Sequence, residues 1–481
     1  MSFTRTYEDI NRRLAAGEAV VFTADQFKAL ADTEPSDEAL ARRVDVVTVA
    51  TYAPMCSSGV FINFGHGAPP IRLETLTLNG VPAYGGVAAV DAYLGATAEL
   101  PGDPSYGGAH VIEDLVAGRS VLLEAEGKGT DCYPGRRVRT WLSKADLNDF
   151  WFFNPRNAYQ NYGAAVNSGA NRLRTYLGVL EPRGASVSYA TAGELSPLLN
   201  DPELRSIGIG TPVLLGGAPG YVARAGTQHN PGVKRNPAGL PVNGSRTLAL
   251  YADAKLASPD QVAAARVDGY GVSIFLGVAF ALPVLDAEMA RALRIRDRDI
   301  TVQVKDYGRP ERPIVLETNY GALRSGRVEL PALWSGEGAA PLSAPTAVSS
   351  SLAAARRICA DLRGRVLGGT FRLRPFIEAL PSAAAVRPLA RHTEPAPEAP
   401  ATSGLPPTLR RGQAGYARAL CVDCGACAAH CPSGALGIGA PDWLLHYDDA
   451  LCTGCGQCQA ACLRQALAPV AATTQAAVHG R

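Results

Sequence analysis

Apolar positions fall into two rhythms along the first 380 residues. Runs that are apolar at almost every position read as strands buried on both faces: Asp45–Thr51, Ser120–Glu124, Ile207–Leu215, Ile274–Phe280 and Ile300–Lys305. Elsewhere apolar residues recur every three or four positions, the spacing of a helix with one buried face. That spacing predicts helices over Tyr7–Ala16, Ala24–Asp32, Val87–Ala96, His110–Ala117, Leu142–Phe150, Pro259–Asp268 and Leu352–Arg363. Thr23, with Gln26 three residues on, has the pattern of a capping box at the second of these starts. Strands alternating with helices predict an α/β domain whose sheet is covered on both faces. The longest apolar run, Gly271–Leu285, is closed by Pro283 and Asp286 and is shorter than the roughly 18 residues a spanning helix needs, so it reads as core.

The pattern changes twice towards the C-terminus. Prolines at 381, 388, 395, 397, 400, 406 and 407 mark residues 381–412 as a semi-extended linker, with a coil span of roughly 30 Å. Residues 413–470 form a second, small α+β domain, and 471–481 read as a disordered tail. The first domain is therefore 1–380. Met1–Arg13 is polar and charged with no apolar core of a leader, which predicts a cytoplasmic protein with no membrane partner.

Composition narrows the chemistry. Lys+Arg 46 against Asp+Glu 44 gives a net charge of +2, and only 19% of residues are charged, which argues against a nucleic-acid partner held by a basic surface. Of 11 cysteines, all but Cys56, Cys132 and Cys359 lie between Cys421 and Cys462. They form two copies of one spacing, Cys421-x2-Cys424-x2-Cys427-x3-Cys431-Pro432 and Cys452-x2-Cys455-x2-Cys458-x3-Cys462, with Leu463 where the second proline would stand. This is the run of a two-cluster bacterial ferredoxin, in which the fourth cysteine of each run serves the other cluster. The expected sets are Cys421, Cys424, Cys427 and Cys462 for one [4Fe–4S] cluster, and Cys452, Cys455, Cys458 and Cys431 for the other. Paired zinc sites, the rival reading, expect two-plus-two spacing across a longer loop.

The remaining cysteines differ in setting. Cys132 lies in the glycine-rich loop Gly127-Lys128-Gly129-Thr130-Asp131-Cys132 just after a predicted strand, where α/β sheets hold ligands. Lys128, Arg136 and Arg137 flank it, and cations beside a cysteine favour the nucleophilic thiolate, while Asp131 opposes this. Cys56 also follows a strand, among the small residues Ser57, Ser58 and Gly59. Cys359 shares a helical apolar face with Leu352, Ala355 and Leu362 and reads as core. Two echoing segments, Tyr84-Gly85-Gly86 and Tyr106-Gly107-Gly108, each precede a helical pattern. Gly85, Gly86, Gly107 and Gly108 either hold a carboxylate or phosphate through free backbone N–H groups or simply make turns. No dinucleotide fingerprint or P-loop is complete: Gly208-Ile209-Gly210 lacks its third glycine, and Lys128 is followed by glycine.

Several segments together resemble one family, the homocysteine-biosynthesis proteins. They are Cys56-Ser57-Ser58-Gly59, Asn63-Phe64-Gly65-His66, Leu78-Asn79-Gly80-Val81-Pro82-Ala83-Tyr84-Gly85-Gly86, Gly127-Lys128-Gly129-Thr130-Asp131-Cys132-Tyr133-Pro134, Arg156-Asn157-Ala158-Tyr159-Gln160-Asn161-Tyr162 and Gly226-Thr227-Gln228-His229-Asn230-Pro231. The resemblance spans about residues 5 to 380 and departs from the family in the fused ferredoxin segment. It implies reductive sulfur transfer to L-aspartate semialdehyde, giving L-homocysteine, with a sulfide or persulfide donor and an upstream low-potential electron donor. Cys132 is then the thiol that carries a persulfide or attacks the aldehyde, and Cys56 the one that resolves a disulfide or accepts the sulfur, in an order the sequence leaves open. Asn157, Tyr159, Gln160, Asn161 and His229 become contacts to the amino-acid head group or proton donors, the alternative being a hydrogen-bonded turn. A ferredoxin-coupled subunit or a sulfur carrier serving a separate catalytic partner is the competing reading, and a homo-oligomer stays open. One pocket shared by Cys56 and Cys132 would favour the enzyme.

Overall fold

The structure is a computed structural model, described here for residues 3–331, 341–383, 414–416 and 420–469 except 442, 449 and 465. The expected linker and tail thus lie almost wholly outside the described residues. The chain divides into two compact units, 1–387 and 388–481.

The first unit is α/β with a large sheet of 14 strands. Its ladder is antiparallel at every pairing but one, Val21–Thr23 with Val46–Pro54, so the expected strand-helix alternation is replaced over long stretches by hairpins. The centre is the strand Val46–Pro54 paired with the long strand Gly271–Pro283, which is where the longest apolar run lies. Alternation along Val46–Pro54 explains why it is apolar on both sides. Val46 and Ala50 pack with Ile358, Cys359 and Leu362 of the helix Leu352–Leu367, while Val47 and Val49 belong to the larger core, with Phe27 of the helix Ala24–Thr33 and Leu198 of the short helix Pro197–Asn200. This part of the sheet is therefore covered on both faces. A second sheet of six strands, including Ala164–Val166, Val187–Tyr189 and Thr301–Asp306, has its own core around Tyr320 and Val302.

Helices form at Tyr7–Ala15, Ala24–Thr33, Gly108–Val116 and Leu352–Leu367, the second with the Thr23–Gln26 capping box. Three expected helices are absent. Val87–Ala96 contains the strand Asp91–Gly95, whose buried Ala92 and Leu94 alternate with period two. Leu142–Phe150 is a turn leading into the strand Asp149–Tyr159. Pro259–Asp268 is mostly the strand Val262–Val267, folded onto Gly271–Pro283 by the turn at Asp268-Gly269-Tyr270. The echoing Tyr-Gly-Gly segments diverge accordingly, one entering a strand and the other a helix.

In the second unit, two short helices, Ala426–Ala429 and Gln457–Ala461, each start from a glycine in the left-handed region, Gly425 at φ 75° and Gly456 at φ 76°. Two antiparallel strand pairs flank them, Ala414–Tyr416 with Leu467–Pro469 and Leu436–Ile438 with Leu445–Tyr447. Among the described residues no helix is long and apolar enough to cross a membrane.

Candidate active site and cluster-binding unit

Cys56 sits just past the carboxyl end of Val46–Pro54, where Met55 N still donates to Ile274 O at 2.7 Å and Ala96 N donates to Ser58 O at 2.8 Å. These bonds fix the short turn that carries Cys56 into the next strand, Gly59–Asn63. Its half-buried side chain opens on a cavity of about 410 Å³ between the large sheet and residues flanking the second sheet. The Sγ lies 3.0 Å from Ser273 Oγ. Tyr270, presented by the Asp268–Tyr270 turn, also lines the cavity, and burial with the Cys56 thiol beside it pushes its phenol up to about 12. Tyr270 is thus protonated at neutral pH and available as a donor.

The electrostatics of the cavity are one-sided. Two cations, Arg156 and Arg312, line it, and no Asp, Glu, Lys or His does among the described residues. Arg156 donates from Nη2 to Ser57 Oγ at 2.7 Å, and its buried Nε has no partner. Arg312 stacks over the Tyr307 ring at 4.4 Å. Tyr159, Tyr162 and Tyr176 pack edge to face at 4.9 and 5.9 Å, and burial raises all three phenols above their ordinary range. Tyr176 and Tyr307 hydroxyls lie 2.7 Å apart. The arrangement offers a thiol and several neutral hydroxyl donors in a positive, carboxylate-free chamber, suited to a small anionic electrophile.

The sequence-predicted residues divide. Tyr159, Gln160 and Asn161 line the cavity. They stand at the end of the strand Asp149–Tyr159, beyond a register shift between Asn154 and Ala158. Gln160 is fully buried with Nε2 on Leu198 O and Pro202 O, and its Oε1 has no partner. Asn161 is consumed structurally, giving Nδ2 to Pro241 O and Thr301 O and accepting from the Tyr320 hydroxyl. The Asn157 side chain lies outside the described residues. His229 does not line the cavity: Nδ1 is 2.9 Å from Thr247 O and Nε2 is 3.2 Å from Pro381 O, so both ring nitrogens are engaged with backbone groups. Gly85, Gly86, Gly107 and Gly108 are also outside it. A Cβ on Gly107 would meet Ala98 O and one on Gly108 would meet Gly95 O, so close backbone approach accounts for these two, while one on Gly85 or Gly86 would meet the Leu76 or Tyr84 side chain.

Cys132 is not brought to Cys56. Residues 127–136 form an exposed hairpin loop between Val121–Glu126 and the edge strand Arg137–Leu142, with Tyr133 stacked on His66 at 5.9 Å and Lys128 paired to Glu74 at 3.3 Å. The register runs Glu126–Thr75–Tyr84–Tyr93–Phe61 across four ladder steps, roughly 19 Å at about 4.8 Å per step. Beyond Glu126 that register leads to the Asn63 end of Gly59–Asn63, whereas Cys56 precedes the Gly59 end. The expected shared pocket is therefore not formed. Both loops do follow strands, but a hairpin loop returns at once to the neighbouring strand, and the sequence does not say which sheet end it decorates.

Residues missed from sequence include Arg312, Tyr270 and Ser273. The signal for Tyr270 was present as the Asp-Gly hairpin dipeptide at 268–269, masked by the alanine-rich run before it. Arg156, Ser57 and Tyr162 stood in the recognised motifs without a role.

In the second unit, Cys421, Cys424, Cys427 and Cys462 line one cavity. Burial, with Cys462 and Cys421 as neighbours, pushes Cys427 up to about 11, and Cys458 is raised by burial with Cys455, Cys431 and Cys452 beside it. Both expected thiol sets are thus mutual neighbours, across the two runs. Asp423 N approaches Cys421 Sγ at 3.4 Å and Ala466 N donates to Cys462 Sγ at 3.1 Å, the type of N–H···S contact that supports cluster thiolates. Among the described residues no three His, Cys, Asp or Glu side chains converge as a single-ion site requires. Four thiols lining one cavity, the fourth drawn from the other run, fit the crossed ligand set of a [4Fe–4S] cluster.

Comparison with known proteins agrees with this division. Residues 420–466 match the 4Fe-4S dicluster domain. A Methanocaldococcus jannaschii protein named L-aspartate semialdehyde sulfurtransferase is 44% identical over 387 residues, covering 78% of this chain and 73% of that protein. One of the same name from Methanosarcina acetivorans is 40% identical over 380 residues, covering 78% and 72%. An uncharacterized Methanothermobacter thermautotrophicus protein is 30% identical over 334 residues, covering 67% and 73%. No solved structure matches. Residues 19–373 match the family described as homocysteine biosynthesis enzyme, sulfur-incorporation, and the chain belongs to that family.

Proposed function

We propose that the protein joins reduced sulfur to L-aspartate semialdehyde, giving L-homocysteine, with Cys56 as the thiol at the reacting carbon. The observation that carries this is the Cys56 cavity, positive and free of carboxylates, in a chain whose relatives at 40–44% identity bear the name of that activity.

Writing the substrate RCHO, the overall reaction is RCHO + H2S + 2e− + 2H+ → RCH2SH + H2O. The Cys56 thiolate adds to the aldehyde carbon while the carbonyl oxygen takes a proton, with Tyr270 as the nearest phenolic donor. Hydrogen sulfide replaces the hydroxyl, releasing water and leaving the carbon bonded to two sulfurs. Two electrons and a proton then break the bond to Cys56, returning its thiolate and releasing homocysteine. Cys421, Cys424, Cys427 and Cys462 would hold one [4Fe–4S] cluster and Cys452, Cys455, Cys458 and Cys431 a second, and such a pair would supply electrons one at a time. Sulfur delivered from a persulfide instead arrives more oxidised, and the reaction then consumes four electrons. Cys132, exposed on its hairpin, serves sulfur supply, where an external donor reaches it. Lys128 flanks that thiol, and Tyr159 and Gln160 shape the chamber around the substrate.

The test is anaerobic incubation with L-aspartate semialdehyde, sulfide and a low-potential reductant, with homocysteine quantified. Formation that depends on both sulfide and reductant supports the reading. Reduction of a separate partner protein with no homocysteine would favour the electron-carrier alternative.

A further inference from the structure

The cations of the cavity have no counter-charge among the described residues. Arg156 is tied to Ser57, the neighbour of Cys56, at 2.7 Å; it touches the Tyr159 phenol, and its buried Nε is unsatisfied. Neither it nor Arg312 has a carboxylate partner among the described residues, although most other arginines of this unit do, as Arg205 does with Asp286 at 2.6 Å. A guanidinium kept half-buried without a carboxylate is costly unless an anion completes it. Its fork presents paired N–H donors matched to a planar carboxylate.

Resting on the function proposed above, we infer that Arg156 binds the α-carboxylate of the substrate and so sets specificity for aldehydes that are α-amino acids. The reach is right. Carboxylate and aldehyde carbons of the semialdehyde are separated by three C–C bonds of about 1.5 Å each. A short substrate of that kind needs its anion-binding group beside the nucleophile, and the Arg156–Ser57 bond holds the guanidinium one residue from Cys56. Arg312, on the same cavity, adds positive potential without that tether.

The test compares wild type, Arg156→Gln and Arg156→Lys on L-aspartate semialdehyde and on 3-aminopropanal, the same aldehyde without the carboxylate. Arg156→Gln is expected to lose at least about tenfold in kcat/KM on the semialdehyde, mainly through KM, and to change less than about twofold on 3-aminopropanal. Arg156→Lys should recover part of the loss. Equal losses on both aldehydes, or none on either, would overturn the inference. A second readout is alkylation of Cys56 in the full chain by iodoacetamide. L-Homoserine, an unreactive carboxylate of similar size, should slow it in wild type and leave its rate unchanged in Arg156→Gln. Protection in an enzyme that makes no homocysteine would refute the proposed reaction while sustaining this site. Homocysteine formation with protection unchanged by Arg156→Gln would sustain the reaction and refute the site.

Discussion

Three cysteines outside the ferredoxin segment occupy three environments, and their chemistry follows. Cys359 is buried in the helix Leu352–Leu367, where desolvation pushes its thiol to about 12, so it is inert at neutral pH. Cys359→Ser should leave homocysteine formation unchanged per folded molecule and lower stability by about 1–3 kcal/mol, because a hydroxyl replaces a thiol in an apolar cluster; denaturant unfolding measures this. Cys132→Ser should retain activity with free sulfide as donor and lose it with a persulfide donor. Equal loss with both donors would place Cys132 at the carbon after all. The cysteines were legible from the sequence as strand-end and helix-face residues. Their separation was not, because strand order and register depend on long-range pairing that local periodicity does not encode.

Elements act on the site through close backbone packing. Gly59 opens the strand after Cys56, and a Cβ there would collide with Tyr93 Oη and with Leu94 O of the paired strand. Gly59→Ala should therefore destabilise the unit by a few kcal/mol, about 1–3, and reduce activity in the molecules that remain folded, read by thermal unfolding alongside the assay. Lys28 shows a different coupling. It is buried in the helix Ala24–Thr33, donating to Asn200 Oδ1 at 3.1 Å and Leu293 O at 2.8 Å, and burial lowers its ammonium to about 7. Between about 7 and the ordinary 10.5 the unfolded chain binds the extra proton, so this group makes stability rise with pH across that window. The slope is at most ~1.4 kcal/mol per pH unit. Lys28→Met should flatten the rise, seen as a smaller change in unfolding midpoint between pH 7 and 9 than in wild type. The capped helix holding Lys28 was evident from Thr23 and Gln26. The strand Val262–Val267 was not, because alanine favours helix locally and pairing with Gly271–Pro283 overrides it.

At the scale of the whole molecule, the proposed function puts sulfur chemistry and electron supply in separate units of one chain. The duplicated cysteine spacing made the second unit the most legible part, and residues 420–466 match the 4Fe-4S dicluster domain. Anaerobically purified protein should contain about eight iron and eight acid-labile sulfide per chain. Cys462→Ser should disturb the same cluster as Cys421→Ser, giving matching electron paramagnetic resonance spectra, because the two thiols share a cavity despite lying in different runs. On the proposed function, electron stoichiometry couples this unit to the first: two per homocysteine with sulfide, four with persulfide. The central claim, that Cys56 is the thiol at the carbon, is tested most directly by an anaerobic assay with sulfide as the only sulfur source. Wild type and Cys56→Ser, both with full iron content, are compared for homocysteine from L-aspartate semialdehyde. The account predicts product from wild type and at least about a hundredfold less from Cys56→Ser; undiminished turnover by Cys56→Ser would contradict it.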